Sequence, residues 1–160
     1  MMNIVNRHSR IIARPKAALL DLFSKLATPD DPIWPKEKWP AIRFKKGLKV
    51  GASGGHGPIQ YQVIAYDPAG MVTFQFQRPR GFQGVHQFEI LEKSEGVKEL
   101  RHTISMQTTL TGTIIWLVAI RWLHDALLED ALDKVENALL HTNRRTPWSS
   151  WVKMLRWLLK

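Results

Sequence analysis

Histidine is the side chain whose charge changes nearest neutral pH. On an apolar face it can move a proton, hold a hydrogen bond or ligate a metal. The sequence has six histidines, and periodicity turns three of them inward. In VHQFEIL, alternation puts His86, Phe88 and Ile90 on one face. In KELRHTISM it does the same for Leu100, His102, Ile104 and Met106. His124 follows Leu117 by seven residues and joins a helical stripe of Leu127, Leu128, Ala131 and Val135. The three imidazoles are expected to converge on a concave apolar interior. Four chemistries fit them: core histidines bonded to backbone or to each other, polar handles for a ligand carbonyl, hydroxyl or carboxylate, a general acid or base, or a metal-binding trio. No carboxylate shares their strand faces, so a conventional triad lacks its orienting acid. No residue is assigned a catalytic role, His86, His102 and His124 being the candidates, and neither a metal nor a cofactor is assigned.

A second stretch invites a different chemistry. GASGGHGPIQY (residues 51–61) carries four glycines within seven residues. Such a run can cradle a phosphate, because backbone amides approach an anion closely only where no Cβ intervenes. A phosphate loop needs a helix N-terminus behind it, and often Gly-Lys-Ser/Thr. Here the run ends in Gly-Pro followed by alternating strand residues, which reads as a hairpin tip. His56 within it is left between the rim of the interior and solvent.

The elements that must position these groups follow from periodicity. Residues 3–13 read as a strand. RPKAALLDLFSKLATP follows as a helix, with Pro15 in its first turn and Leu19, Leu22, Phe23 and Leu26 at helical spacing. Thr28 is expected to cap a second short helix, which Pro32, Pro35 and Pro40 keep short or broken. From Ile42 the period becomes two, through IRFKKGLKV, IQYQVIAYD, MVTFQFQ, VHQFEILEK and VKELRHTISMQT, with turns at Asp67–Gly70 and Ser94–Gly96. Residues 113–141 read as one long helix. Leu127, Leu128, Ala131, Leu132, Val135, Ala138 and Leu139 lie on one side of it, with Asp125, Glu129, Asp133, Glu136 and Asn137 on the other. A sheet that alternates along each strand has one buried face, and this helix has the stripe to cover it.

Composition bounds the rest. The chain has 160 residues, enough for one domain, and 44% are hydrophobic. It contains no cysteine, which excludes disulfides, thiolate metal sites and cysteine nucleophiles. The N-terminus has no long apolar run, and IIWLVAI (residues 114–120) is short for a bilayer span, so a cytoplasmic location is expected. The net charge is +9. That points to an anionic partner, but no zinc-finger spacing, RNA-recognition signature or helix-turn-helix accompanies it, and nucleic acid is not the expected partner.

The order strand, helices, antiparallel strands, long helix resembles the START/Bet v 1-like superfamily, also called SRPBCC or polyketide-cyclase-like. IIARPKAALLDLF, the glycine-rich tip and the closing helix LHDALLEDALDKVENAL carry the resemblance, over about residues 3–141. GGHGPI is similar to the Gly-Gly-x-Gly-x-Ile tip of the plant allergens in that superfamily. The resemblance implies an α+β helix-grip fold. A curved antiparallel sheet of six or seven strands wraps a long C-terminal helix, two short helices follow the first strand, and many members enclose a hydrophobic cavity. It also implies that Trp34 and Trp39 lie near the cavity mouth, where they gate it, stack on a ligand or simply pack a short helix.

The sequence therefore predicts a helix-grip domain over 1–142 and a basic, Trp-rich amphipathic helix over 143–160. Expected ligand contacts are Trp34, Trp39, Tyr61, Phe74, Phe76, His86, Phe88, His102, Ile104, Met106, His124 and Leu128. Arg78–Phe82 reads as a solvated basic turn with an exposed aromatic. In the terminal segment Thr146 is the expected N-cap. Trp148, Trp151, Val152, Leu155, Leu158 and Leu159 share one face, while Lys153, Arg156 and Lys160 share another. Trp148, Trp151, Leu155 and Leu158 are its expected contacts, with its own domain, a second copy or an anionic membrane at the inner face. The lead function is binding of a small hydrophobic molecule, such as a lipid, polyketide-like or aromatic compound. A cyclase/dehydratase or hydrolase using a cavity histidine, and a peripheral lipid or quinone carrier, are the alternatives.

Overall fold

The computed structural model describes residues 1–159. Seven strands form one antiparallel sheet in the order β1-β7-β6-β5-β4-β3-β2. They are β1 (Met2–Ile12), β2 (Arg43–Phe44), β3 (Ser53–His56), β4 (Ile59–Asp67), β5 (Met71–Arg78), β6 (Phe82–Ser94) and β7 (Val97–Thr108). Sequential hairpins build the sheet from β2 to β7, and β1 then joins the far edge, with Met2 opposite Thr108 and Ile12 opposite Lys98. The helices are α1 (Lys16–Phe23), α2 (Leu110–Ile115), α3 (Arg121–Leu140) and α4 (Ser150–Leu158). A single π turn, Trp116–Ile120, joins α2 to α3, so the long helix runs from Leu110 to Leu140. This is the expected helix-grip arrangement, with seven strands.

Several local expectations are corrected. No helix forms after Thr28. The Asp31 carboxylate instead accepts the backbone N–H groups of Ala27, Ile33 and Trp34, at 2.7–2.8 Å. Those bonds fold residues 24–42 into a compact loop that buries Ile33, Trp34 and Trp39. The glycine run is mostly strand. A Cβ on Gly54 would lie 2.2 Å from the Arg43 carbonyl oxygen, and one on Gly55 2.1 Å from that of Ile59. Glycine here lets β3 sit tightly between β2 and β4, and only Gly57-Pro58 forms the turn. The terminal helix is capped by Ser149, whose hydroxyl accepts from Val152 N–H, and not by Thr146. The Thr146 amide is taken by the Asp133 carboxylate at 2.6 Å.

The face of α3 opposite its apolar stripe is not wet. On β1, Ile4, Asn6, His8, Arg10 and Ile12 share the inner side, and the three polar ones meet the helix acids. Asn6 donates to Asp125, His8 bonds both Asp125 and Glu129, and Arg10 donates to Glu129 and Asp133, at 2.8–2.9 Å. Acids four residues apart on a helix stack along one line. Alternate residues of the strand present matching groups to that line. The long helix is thus gripped on one side by apolar packing and on the other by charge.

Candidate functional site

A cavity of about 660 Å³ lies between the sheet, the long helix, the 24–42 loop and α4. Both apolar clusters of the core contribute to its wall. Trp34, Trp39, Leu127 and Leu128 come from the larger cluster, and Phe82, Ile104 and Trp116 from the smaller.

The three inward histidines are brought together as their parity required. His86 Nδ1 lies 3.2 Å from His102 Nε2, and the His102 and His124 ring centroids are 5.1 Å apart. A fourth histidine joins them. His56 lines the cavity, with its Nδ1 3.1 Å from the Tyr61 hydroxyl and its ring 4.8 Å from Trp34. Burial lowers the pKa of all four. His56 falls to about 3, with the neighbouring His124 adding to the effect, and His86 and His102 fall well below the ordinary value. His124 is lowered because burial outweighs the pull of Asp125. All four rings are therefore neutral at pH 7. A neutral imidazole has one donor and one acceptor nitrogen. Whichever ring donates in the His86–His102 bond, the pair is left with one free N–H and one free lone pair. These are His86 Nε2 and His102 Nδ1, both buried without a partner, as is His124 Nδ1.

Other polar groups around this wall are partnered, Arg156 Nε excepted. Asp130 is buried and accepts from Lys38 Nζ at 2.7 Å, Trp39 Nε1 at 2.8 Å and Trp148 Nε1 at 2.9 Å. Arg156 of α4 lies over the Trp39 ring at 4.4 Å and donates to the Lys38 carbonyl. Asp130 thereby ties the loop and the C-terminal segment to α3. His8 differs from the cavity histidines. Burial pulls its pKa down, but Asp125 and Glu129 outweigh that and hold it above the ordinary value. Against the effect of burial, His124, His8 and Asn6 hold the Asp125 carboxyl well below the usual carboxylate range.

Eight of the expected ligand contacts line the cavity: Trp34, Trp39, Phe76, His86, His102, Ile104, His124 and Leu128. Tyr61, Phe74, Phe88 and Met106 do not. They are buried behind the wall, where Tyr61 and Phe74 pack edge-on and stacked against His86, and Phe88 packs against His102. Alternation identifies the inner face of a strand, but not which inner residues meet the empty space.

His56, Trp116, Arg156 and Leu159 line the cavity and were not singled out as ligand contacts. Phe82, read as exposed, is buried in its wall. Of the terminal contacts, Leu155 packs inward and Trp148 meets Asp130. Trp151 donates to the Val118 carbonyl, and Leu158 is exposed. Lys160 lies outside the described residues. For metal chemistry, the groups with ligating atoms within 4.8 Å of one another are His8, His124 and Asp125, a different set from the three cavity-facing histidines. Both His8 nitrogens already face carboxylates.

No family model and no curated protein matches the chain. Solved structures do match. Norcoclaurine synthase from Thalictrum flavum, in complex with dopamine and hydroxybenzaldehyde, aligns at TM-score 0.65 and 13% identity, over 89% of this chain and 90% of that one. A Thermobifida fusca protein solved by NMR aligns at TM-score 0.63 and 14% identity, over 89% and 99%. XoxI from Bacillus cereus aligns at TM-score 0.60 and 14% identity, over 85% and 95%. At such identities the likeness is one of fold.

Proposed function

Since this chain has the Bet v 1-like helix-grip fold, we propose that it binds a small, largely hydrophobic molecule in the cavity between sheet and long helix. A lipid, polyketide-like or aromatic compound is the ligand class. The observation that carries the reading is the cavity itself, whose roughly 660 Å³ is of the size and apolar character of small-molecule sites. The imidazoles of His86, His102 and His124 supply a polar handle, because they are polar rings in an otherwise largely apolar wall. The reading places the protein in the cytoplasm.

Native mass spectrometry of protein purified from its own host tests this, paired with a Leu128→Trp variant that fills the cavity. A retained small molecule in the wild type, absent from a folded variant, is the expected result. Equal retention by both, or none by either together with no uptake of an apolar fluorescent probe, overturns it.

A second reading has its own observation. Neutral buried imidazoles, with Asp125 3.7 Å from His124 Nδ1, are groups able to shuttle a proton in a cyclase/dehydratase or hydrolase reaction. Norcoclaurine synthase shows that this fold carries enzymes, but fold analogy supplies no reaction. Exchanging each histidine for Gln separates the readings. A binding protein loses about threefold to tenfold in affinity at each. An enzyme loses turnover at one histidine while still binding.

A further inference from the structure

The long helix begins with an apolar face that the described residues leave largely uncovered. Leu110, Ile114, Ile115, Leu117, Val118 and Trp122 are exposed, Leu110 at 79% and Ile114 at 55%. Its most apolar stretch of eighteen residues has mean hydropathy 1.2, yet only 17% of that stretch is buried. Single exposed apolar residues are ordinary, but a contiguous patch on this scale marks a contact surface.

The helix is not misregistered, because its other side, Gly112 and Trp116, is buried and Trp116 lines the cavity. The C-terminal helix extends the patch. Trp151 Nε1 donates to the Val118 carbonyl at 2.9 Å, and Met154 and Leu158, one and two turns further along α4, are also exposed.

Charge selects the occupant. The sequence has no Asp or Glu between residues 100 and 124, and none after Glu136. Arg121 sits within the patch itself and Lys153 lies on α4 between Trp151 and Met154. A second copy of the chain would bring another +9 and the same basic fringe against this face. A bilayer of anionic lipid offers apolar depth and negative charge together, and Trp favours the depth where they meet. The packing of the helix suits it to lying on such a surface and not to crossing it. Its Ile120, Leu127 and Leu128 wall the cavity, and its acids are bonded to β1.

We propose that the Leu110–Trp122 face, with Trp151, Met154 and Leu158 of α4, docks the protein on an anionic lipid bilayer. Trp116, Ala119 and Ile120 of the same helix and Leu159 beyond α4 line the cavity, so docking sets the cavity edge against the membrane. The docking does not depend on what the cavity holds.

The test is co-sedimentation of the full chain with phosphatidylcholine vesicles, with and without phosphatidylglycerol. An Ile114→Glu/Val118→Glu variant is compared after its unfolding midpoint is matched to the wild type. Binding only to phosphatidylglycerol vesicles, weakened by salt and at least about tenfold weaker in the variant, is expected. Quenching of tryptophan fluorescence by brominated lipid gives a readout on the wild type alone, should the variant not fold. Wild type that ignores phosphatidylglycerol vesicles, equal binding by a folded variant, or no quenching overturns the proposal. A wild-type dimer that the variant breaks, without vesicle binding, overturns it in favour of a second copy.

Discussion

The long helix meets two kinds of buried polar group, and they are treated oppositely. Where it faces β1 and the 24–42 loop, Asp125, Glu129, Asp130 and Asp133 are held by several donors, while Glu136 meets Arg10 as an ion pair without a hydrogen bond to Oε2. Asp130 holds three donors and Asp133 holds Arg10 and the Thr146 amide. Where it faces the cavity, imidazoles sit among aromatic rings, and His86, His102 and His124 each keep one nitrogen without a partner. A buried polar group with every bond made stabilises the chain that supplies the bonds. One with a bond unmade costs stability, and here that cost falls on residues that wall the cavity. The difference separates structure from site more sharply than residue type does, since histidine occurs on both sides: His8 in the clamp, the others in the wall.

Breaking the engaged side has the largest effect. Asp130→Ala leaves the buried Trp39 indole N–H without an acceptor and removes the partner of Trp148 and of the exposed Lys38 ammonium. It is expected to cost about 2–3 kcal/mol in urea unfolding, with α4 released first. A loss below about 1 kcal/mol would show that the Asp130 node is ornamental.

Acid sharpens the contrast, because the two kinds of histidine respond with opposite sign. The cavity histidines have folded pKa values below 6.5, so as pH falls below that value the unfolded chain binds protons that the folded chain refuses. Each such group costs about 1.4 kcal/mol per pH unit until its folded pKa is reached. His8 has a folded pKa above 6.5, so its contribution is complete below 6.5 and is lost as pH rises through the folded value. Stability measured between pH 7 and pH 5 should therefore fall, and His102→Phe should flatten the fall. An unchanged slope in that variant would mean that His102 is solvated and titrates normally.

The smallest effect is expected from His8→Gln, at about 1–2 kcal/mol near pH 6. The gap from wild type should narrow as pH rises through the folded pKa of His8. A gap that stays constant with pH would show that the His8 clamp works without its charge.

The sequence made the inner face of each strand legible, because alternation is a property of single residues in order. His86, His102 and His124 meet for that reason. What it could not carry was depth. Tyr61, Phe74 and Phe88 obey the same parity as His86, but sit behind the cavity wall because neighbouring rings fill the space in front of them. The β1 clamp was readable in principle. Asn6, His8 and Arg10 alternate with exposed residues, and Asp125, Glu129 and Asp133 repeat every four. Each half looks like a solvated face until the two are paired across more than a hundred residues. The loop after Thr28 misled because one side chain, Asp31, replaces the helix hydrogen bonds with its own.

That long span has a kinetic consequence. β1 pairs with β7 across nearly the whole domain, and its register joins Met2 to Thr108. Contacts this distant in sequence are among the last to be rewarded as a chain orders. The contacts of Arg10 with the helix are then expected to form after the rate-limiting barrier. Arg10→Met should leave the folding limb of a chevron nearly unchanged and raise the unfolding rate. The clamp on β1 acts as a latch: it does little to guide the chain to its fold and much to set how long the chain stays there.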